Sequence, residues 1–92
     1  MAITYDSGSN TITVTGSATF ADIQSANDNG SWGVCTHMGD FYFITAFLTI
    51  GDGSTTSDLT DSNLQIQIGT SAVNASFTVT AGATLSLDNF SL

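Results

Sequence analysis

Three short strings of one pattern constrain what this chain can fold into. Leu48-Thr49-Ile50-Gly51-Asp52-Gly53-Ser54, Ile66-Gln67-Ile68-Gly69-Thr70-Ser71-Ala72 and Leu85-Ser86-Leu87-Asp88-Asn89-Phe90-Ser91 each run apolar–polar–apolar and then into turn residues. They begin 18 and 19 residues apart. A second phase, Leu59-Thr60-Asp61 and Phe77-Thr78-Val79, is also offset by 18. Residues two apart share a face of a strand. Two phases at a shared period are what stacked coils of a β-solenoid produce, each coil giving short strands joined by turns. Alternating strands with turns every 8–12 residues or so also suit a small sandwich. The expected fold is therefore all-β, a short β-solenoid-like fold or a small β-sandwich, with an N-terminal hairpin and one short helix.

The N-terminal third supplies those last two elements. Ile3 and Tyr5, then Ile12 and Val14, alternate with polar residues on either side of Asp6-Ser7-Gly8-Ser9-Asn10, a turn sequence. This predicts a β-hairpin. Gly16-Ser17 breaks the alternation. Thr19 to Ala26 is the helical candidate: Thr19 suits an N-cap, and Asp22 lies three residues on, where the helix dipole favours an anion. Phe20, Ile23 and Ala26 share one helical face, and Asn27-Asp28-Asn29-Gly30 ends the helix with residues that tolerate positive φ. Residues 31–38 predict a strand and Gly39-Asp40 a tight turn. Residues 41–50, with no charge, Gly or Pro, predict one or two strands with at least one fully buried face. The chain is expected to be a single β-domain over 1–92, with 1–30 a hairpin-plus-helix cap and 31–92 the strands or coils.

Charge narrows the function. All eight ionised side chains are Asp; Glu, Lys, Arg and Pro are absent, and the net charge is −8. Nucleic-acid binding needs cations to meet phosphates, so it is not expected. Attachment to an anionic membrane surface fails for the same reason, and so does Arg or Lys clamping of phosphates and carboxylates. Thr (15) and Ser (12) fill more than a quarter of the chain, which fits β structure better than helix. With 41% hydrophobic residues, the chain is no disordered acidic tail. No stretch reaches the ~18 apolar residues of a membrane span, and the N-terminus has no basic-then-apolar secretory pattern.

Ile3–Gly16 and Thr19-Phe20-Ala21-Asp22-Ile23 resemble the N-termini of certain archaeal and viral or phage-like right-handed β-helix proteins. So does Leu48-Thr49-Ile50-Gly51-Asp52-Gly53-Ser54-Thr55. The resemblance implies that the hairpin and helix form a cap and that the Ile-Gly-Asp-Gly-Ser string opens a coil. It implies no catalytic residues.

Individual residues offer little chemistry. Cys35 is the single cysteine, so no internal disulfide exists, and a buried free thiol is the expectation. Cys35 and His37 share a strand face, but a structural zinc site wants four ligands. Asp52, Asp58 and Asp61 are candidate calcium ligands, although such residues more often stabilise turns. The aromatics Trp32, Phe41, Tyr42 and Phe43 could stack on sugar rings; without acidic or amide partners beside them they read as core. Sequons begin at Asn29, Asn74 and Asn89, relevant if the protein is glycosylated. No enzyme is expected, and no cofactor beyond possible calcium.

Association is the functional signal. Natural monomers guard sheet edges with Lys, Pro or bulges, and this sequence contains neither Lys nor Pro. The run 41–50 has high β-propensity and no charge, and the chain closes on apolar residues. The expected self-assembly residues are Phe41, Tyr42, Phe43, Ile44, Phe47, Leu48, Ile50, Leu85, Leu87, Phe90 and Leu92. The expectation is a structural subunit that polymerises with copies of itself, through strand edges or coil stacking, into an extracellular, cell-surface or virion-associated filament or tube. The alternative is a non-enzymatic binding module of the adhesin or tail-fibre type, recognising glycans or surfaces.

Overall fold

The structure, a computed structural model, describes residues 2–54, 56–69, 76–80 and 82–88. It is a small β-rich fold with one helix. In chain order the elements are β1 (Ala2–Asp6), β2 (Thr11–Ala18), α1 (Phe20–Gly30), β3 (Cys35–Met38), β4 (Phe41–Ile44), β5 (Phe47–Ile50), β6 (Ser57–Ser62), β7 (Gln65–Ile68), β8 (Phe77–Val79) and β9 (Thr84–Asp88).

Two antiparallel hairpins form locally. β1 pairs β2 with Ile3 opposite Val14, and β3 pairs β4 with Cys35 opposite Ile44. Asp6 builds the first turn: its carboxylate accepts the Gly8 amide and the Ser9 hydroxyl, the turn role expected of such a residue. All longer-range pairs among the described residues are parallel, in three ladders. The first stacks the N-terminal half of β2 on β5 and β5 on β8. The second stacks the C-terminal half of β2 on β6 and β6 on β9. The third stacks β4 on β7. From β5 onward the chain therefore visits ladder one, two, three, one and two in turn.

β2 serves two ladders because it bends. Gly16 takes φ 75°, a value that L side chains resist, so the expected break after Thr15 is a corner rather than a strand end. Gly51 (φ 92°) turns the corresponding corner after β5. A Cβ there would lie 2.9 Å from the Ala83 Cβ, so this position also requires glycine for the close approach of the following pass.

The 18-residue period is corrected. Leu48 is in register with Ile12 and Phe77, Ile66 with Tyr42, and Leu85 with Leu59. The three similar strings thus lie on three different ladders. Leu59–Asp61 and Phe77–Val79 likewise lie on different ladders, two and one. In-register residues are 29 apart from Leu48 to Phe77, 26 from Leu59 to Leu85 and 24 from Ile44 to Ile68. An offset of 18 advances two ladders and falls short of a full circuit. The first circuit, Ile12 to Leu48, spans 36 residues because α1 and β3 are inserted in it.

The inward side chains form one core. Ile12, Val14, Phe20, Ile23, Ile44, Ala46, Leu48, Ile50 and Leu59 are fully buried, and Ile66 nearly so. Each large aliphatic or aromatic side chain here contributes about 1.5–3 kcal/mol by leaving water. The helix starts where expected and runs to Gly30. Thr19 Oγ1 accepts the Asp22 amide, and the Asp22 carboxylate accepts the Thr19 amide at 2.9 Å, a reciprocal cap. Asp61, on β6, accepts the Phe20 amide at 3.0 Å, placing a second carboxylate at the positive end of the dipole. No helix among the described residues is long and apolar enough to cross a membrane.

Candidate functional site

The two ends of the ladders differ. At the N-terminal end, β1 lies along the edge of β2 and β3 along the edge of β4, and α1 packs against both. The helix brings Phe20, Ile23, Gln24 and Asn27 into the interior. At the other end β7, β8 and β9 are the last strands of their ladders among the described residues. Burial falls toward β8 and β9, whereas on β7 Ile66 stays enclosed and only Ile68 is less buried. In one register stack Val14 and Ile50 are fully buried and Val79 is 44% exposed. Phe77, Leu85 and Ile68 are only partly buried, although their register partners Leu48, Leu59 and Ile44 are fully so.

The run 41–50 divides by alternation. Tyr42, Ile44, Leu48 and Ile50 point inward and are enclosed in the protein's own core, so they are not available to a second folded copy. Phe41, Phe43 and Phe47 point outward and are half-buried. Of the other expected assembly residues, Leu85 is partly buried against the core on β9, the last strand of its ladder among the described residues. Leu87 lies in β9 opposite Asp61. Phe90 and Leu92 lie outside the described residues.

The outward face of β3, β4 and β7 carries a second feature. Thr36 is opposite Phe43 and Met38 opposite Phe41, while Gln65 is in register with Phe41 and Gln67 with Phe43. Thr36, His37, Met38, Phe41 and Phe43 line a shallow groove of about 330 Å³. Met38 is 84% exposed. The His37 imidazole stacks on Tyr42, with ring centroids 5.2 Å apart and planes 17° apart. The amides of Gln65 and Gln67 are the partners whose absence made the aromatics read as core from sequence alone. They were missed because the 18-residue period placed residues 65–68 beside the wrong strand.

Cys35 and His37 do not form a reactive pair. Cys35 is buried and free, and its thiol donates to Gln24 Oε1 at 3.3 Å, while His37 is exposed. Burial first, and the nearby Asp28 carboxylate second, push the Cys35 pKa up to about 12, so the thiol stays protonated and a poor nucleophile. The surrounding network is closed. Asn27 Oδ1 accepts the Val34 and Cys35 amides, and Asn27 Nδ2 and Gln24 Nε2 both donate to the Cys35 carbonyl. Tyr42 is also raised above its ordinary value, by burial first and then by Asp61, Cys35 and Asp40.

The calcium candidates accept hydrogen bonds from within the fold. Asp52 accepts the Ser54 amide and hydroxyl, Asp58 accepts the Ser17 hydroxyl, and Asp61 caps α1. Among the described residues no group of three or more His, Cys or Asp side chains is placed to hold a metal ion. Of the sequons, Asn29 is exposed at the end of α1; Asn74 and Asn89 lie outside the described residues. Comparison with protein-family models, curated proteins and solved structures finds no match for this chain.

Proposed function

We propose that this chain is a short β-solenoid, capped at its N-terminal end, that acts as a non-enzymatic structural module by associating with copies of itself through the edges of β7, β8 and β9. The order in which the chain visits its ladders supports the solenoid reading, since each circuit lays a strand parallel to the one before. The observation that carries the association is the burial gradient, in which Val79 is 44% exposed while its register partners Val14 and Ile50 are fully enclosed. An apolar stack that reaches the last strand of its ladder among the described residues is a template for further strands. Because β1, β3 and α1 occupy the opposite end, a closed two-fold pair, open end to open end, fits better than the head-to-tail filament expected from sequence. The cation-free acidic surface and the resemblance to archaeal and viral β-helix proteins support a place at a cell surface or on a virion.

Mass measured by light scattering over a concentration series tests this reading. The expected result is a discrete species of twice the chain mass, dissociating on dilution and lost in Val79→Asp while circular dichroism is unchanged. A single-chain mass at every concentration overturns it, and continuous filaments in negative stain would reinstate head-to-tail addition.

A further inference from the structure

We propose that the outward face of β3, β4 and β7 binds a neutral glycan, with Phe41 and Phe43 stacking on the apolar faces of pyranose rings and Gln65 and Gln67 hydrogen-bonding their hydroxyls. This site lies apart from the β7–β9 edge in what it uses, side chains of a sheet face rather than backbone of a sheet rim, and it does not depend on self-association.

The placement follows from strand geometry. Phe41 and Phe43 are two apart on β4, so both rings leave the same face, about 6.5–7 Å from one another along the strand. Gln65 and Gln67 are their in-register neighbours on the adjacent parallel strand, roughly 4.8 Å away. Thr36 adds a hydroxyl opposite Phe43 and Met38 an exposed apolar wall opposite Phe41. Gln67 Nε2 donates to the Gly69 carbonyl at 3.1 Å, which fixes that amide and leaves Oε1 as an acceptor. Gln65 is exposed. The groove beside the glutamines, lined by Thr36, His37, Met38, Phe41 and Phe43, is about 330 Å³, the small end of ligand sites, which span roughly 300–1,000 Å³.

The chemistry selects the ligand. Amide and hydroxyl groups both donate and accept, as sugar hydroxyls do, and the flanking rings offer flat apolar surface. A wholly apolar ligand would desolvate the amides without replacing their hydrogen bonds. Acidic glycans are disfavoured because the chain has no Lys or Arg to meet a carboxylate or sulfate and carries a net charge of −8.

Titrations monitored by amide NMR test the proposal, using neutral gluco-, manno- and galacto-oligosaccharides in parallel with sialylated and uronic-acid oligosaccharides. They are run on the wild type and on Val79→Asp, so that the outcome is separate from that of self-association. Saturable binding of at least one neutral series is expected, with shifts confined to residues 36–43 and 65–68 and no response to the acidic series. Phe43→Ser and Gln65→Ala each weaken binding about tenfold, the effect of losing about 1.4 kcal/mol. Gln65 is exposed, so its variant keeps the test valid if Phe43→Ser fails to fold. The proposal is overturned by an absence of neutral-glycan binding, by preference for the acidic series, or by binding indifferent to Gln65→Ala. It is equally overturned if Met38→Lys changes the oligomeric state, which would make this face a contact between copies.

Discussion

The Cys35 thiol is held in its neutral form by burial and by Asp28, and this has a measurable sign. Its folded pKa of about 12 stands above the ordinary thiol value of 9.0, so between the two the native state binds more protons than the unfolded state. Stability contributed by the protonated thiol is intact below about pH 9 and declines as pH rises toward about 12. Tyr42, also raised, adds a loss of the same sign above its own ordinary range. Urea unfolding from pH 8 to 11 is expected to show this decline, and Cys35→Ala to flatten it. A thiol reagent at pH 8 should label Cys35 only in the unfolded protein. Asn27 makes a stronger claim on stability. Truncating it to Ala leaves the buried amide of Cys35 and the part-buried amide of Val34 without their acceptor, and each unsatisfied buried group costs about 1–3 kcal/mol. A loss of about 2–4 kcal/mol in urea unfolding is expected, against under 1 kcal/mol for exposed Ser25→Ala.

Among the elements, the helix start, the first hairpin and the turn at Gly39-Asp40 were legible because their signals are local, although the strand before that turn begins at Cys35 and not at residue 31. Thr19 and Asp22 announce the cap three residues apart, and alternation around Asp6–Asn10 announces the first turn. What sequence did not show is Asp61 reaching the same helix terminus from β6, since no local pattern links residues 41 apart. Asp61→Ala should therefore destabilise the protein by about 1 kcal/mol, as loss of a capping carboxylate does; calcium ligation is the other role for which this carboxylate is a candidate. Thermal unfolding with and without a chelator separates the two roles: this structural role predicts a lower Tm in the variant and no chelator effect on the wild type. Ladder register was also illegible. In-register partners on successive strands of a ladder are 36, 41, 29, 26 and 24 residues apart and share no period, whereas strands two ladders apart recur near 18, and that recurrence is what the similar strings displayed. Gly51 marks a corner where register is enforced sterically. Gly51→Ala places a Cβ against Ala83 at positive φ, and a loss exceeding the roughly 0.5–1 kcal/mol of an ordinary glycine effect is expected.

At the scale of the whole molecule, the absence of Lys and Pro pointed to unguarded edges, and apolar exposure among the described residues is unequal. The apolar run 41–50, the expected adhesive, supplies the core with Tyr42, Ile44, Leu48 and Ile50 and the outer face with Phe41, Phe43 and Phe47. Exposed apolar surface at a ladder end comes instead from Val79, a residue that composition gave no reason to select. Two copies meeting there bring together sixteen carboxylates, eight from each chain, so association should tighten as salt rises and the Debye length shrinks below about 10 Å. The most direct test of the account is amide hydrogen exchange of the folded protein at low and high concentration. Association through the open end predicts that protection of β7, β8 and β9 rises with concentration while β2 and β5 stay unchanged. Concentration-independent exchange in all three of those outer strands, or added protection confined to β1, β3 and α1, would contradict it.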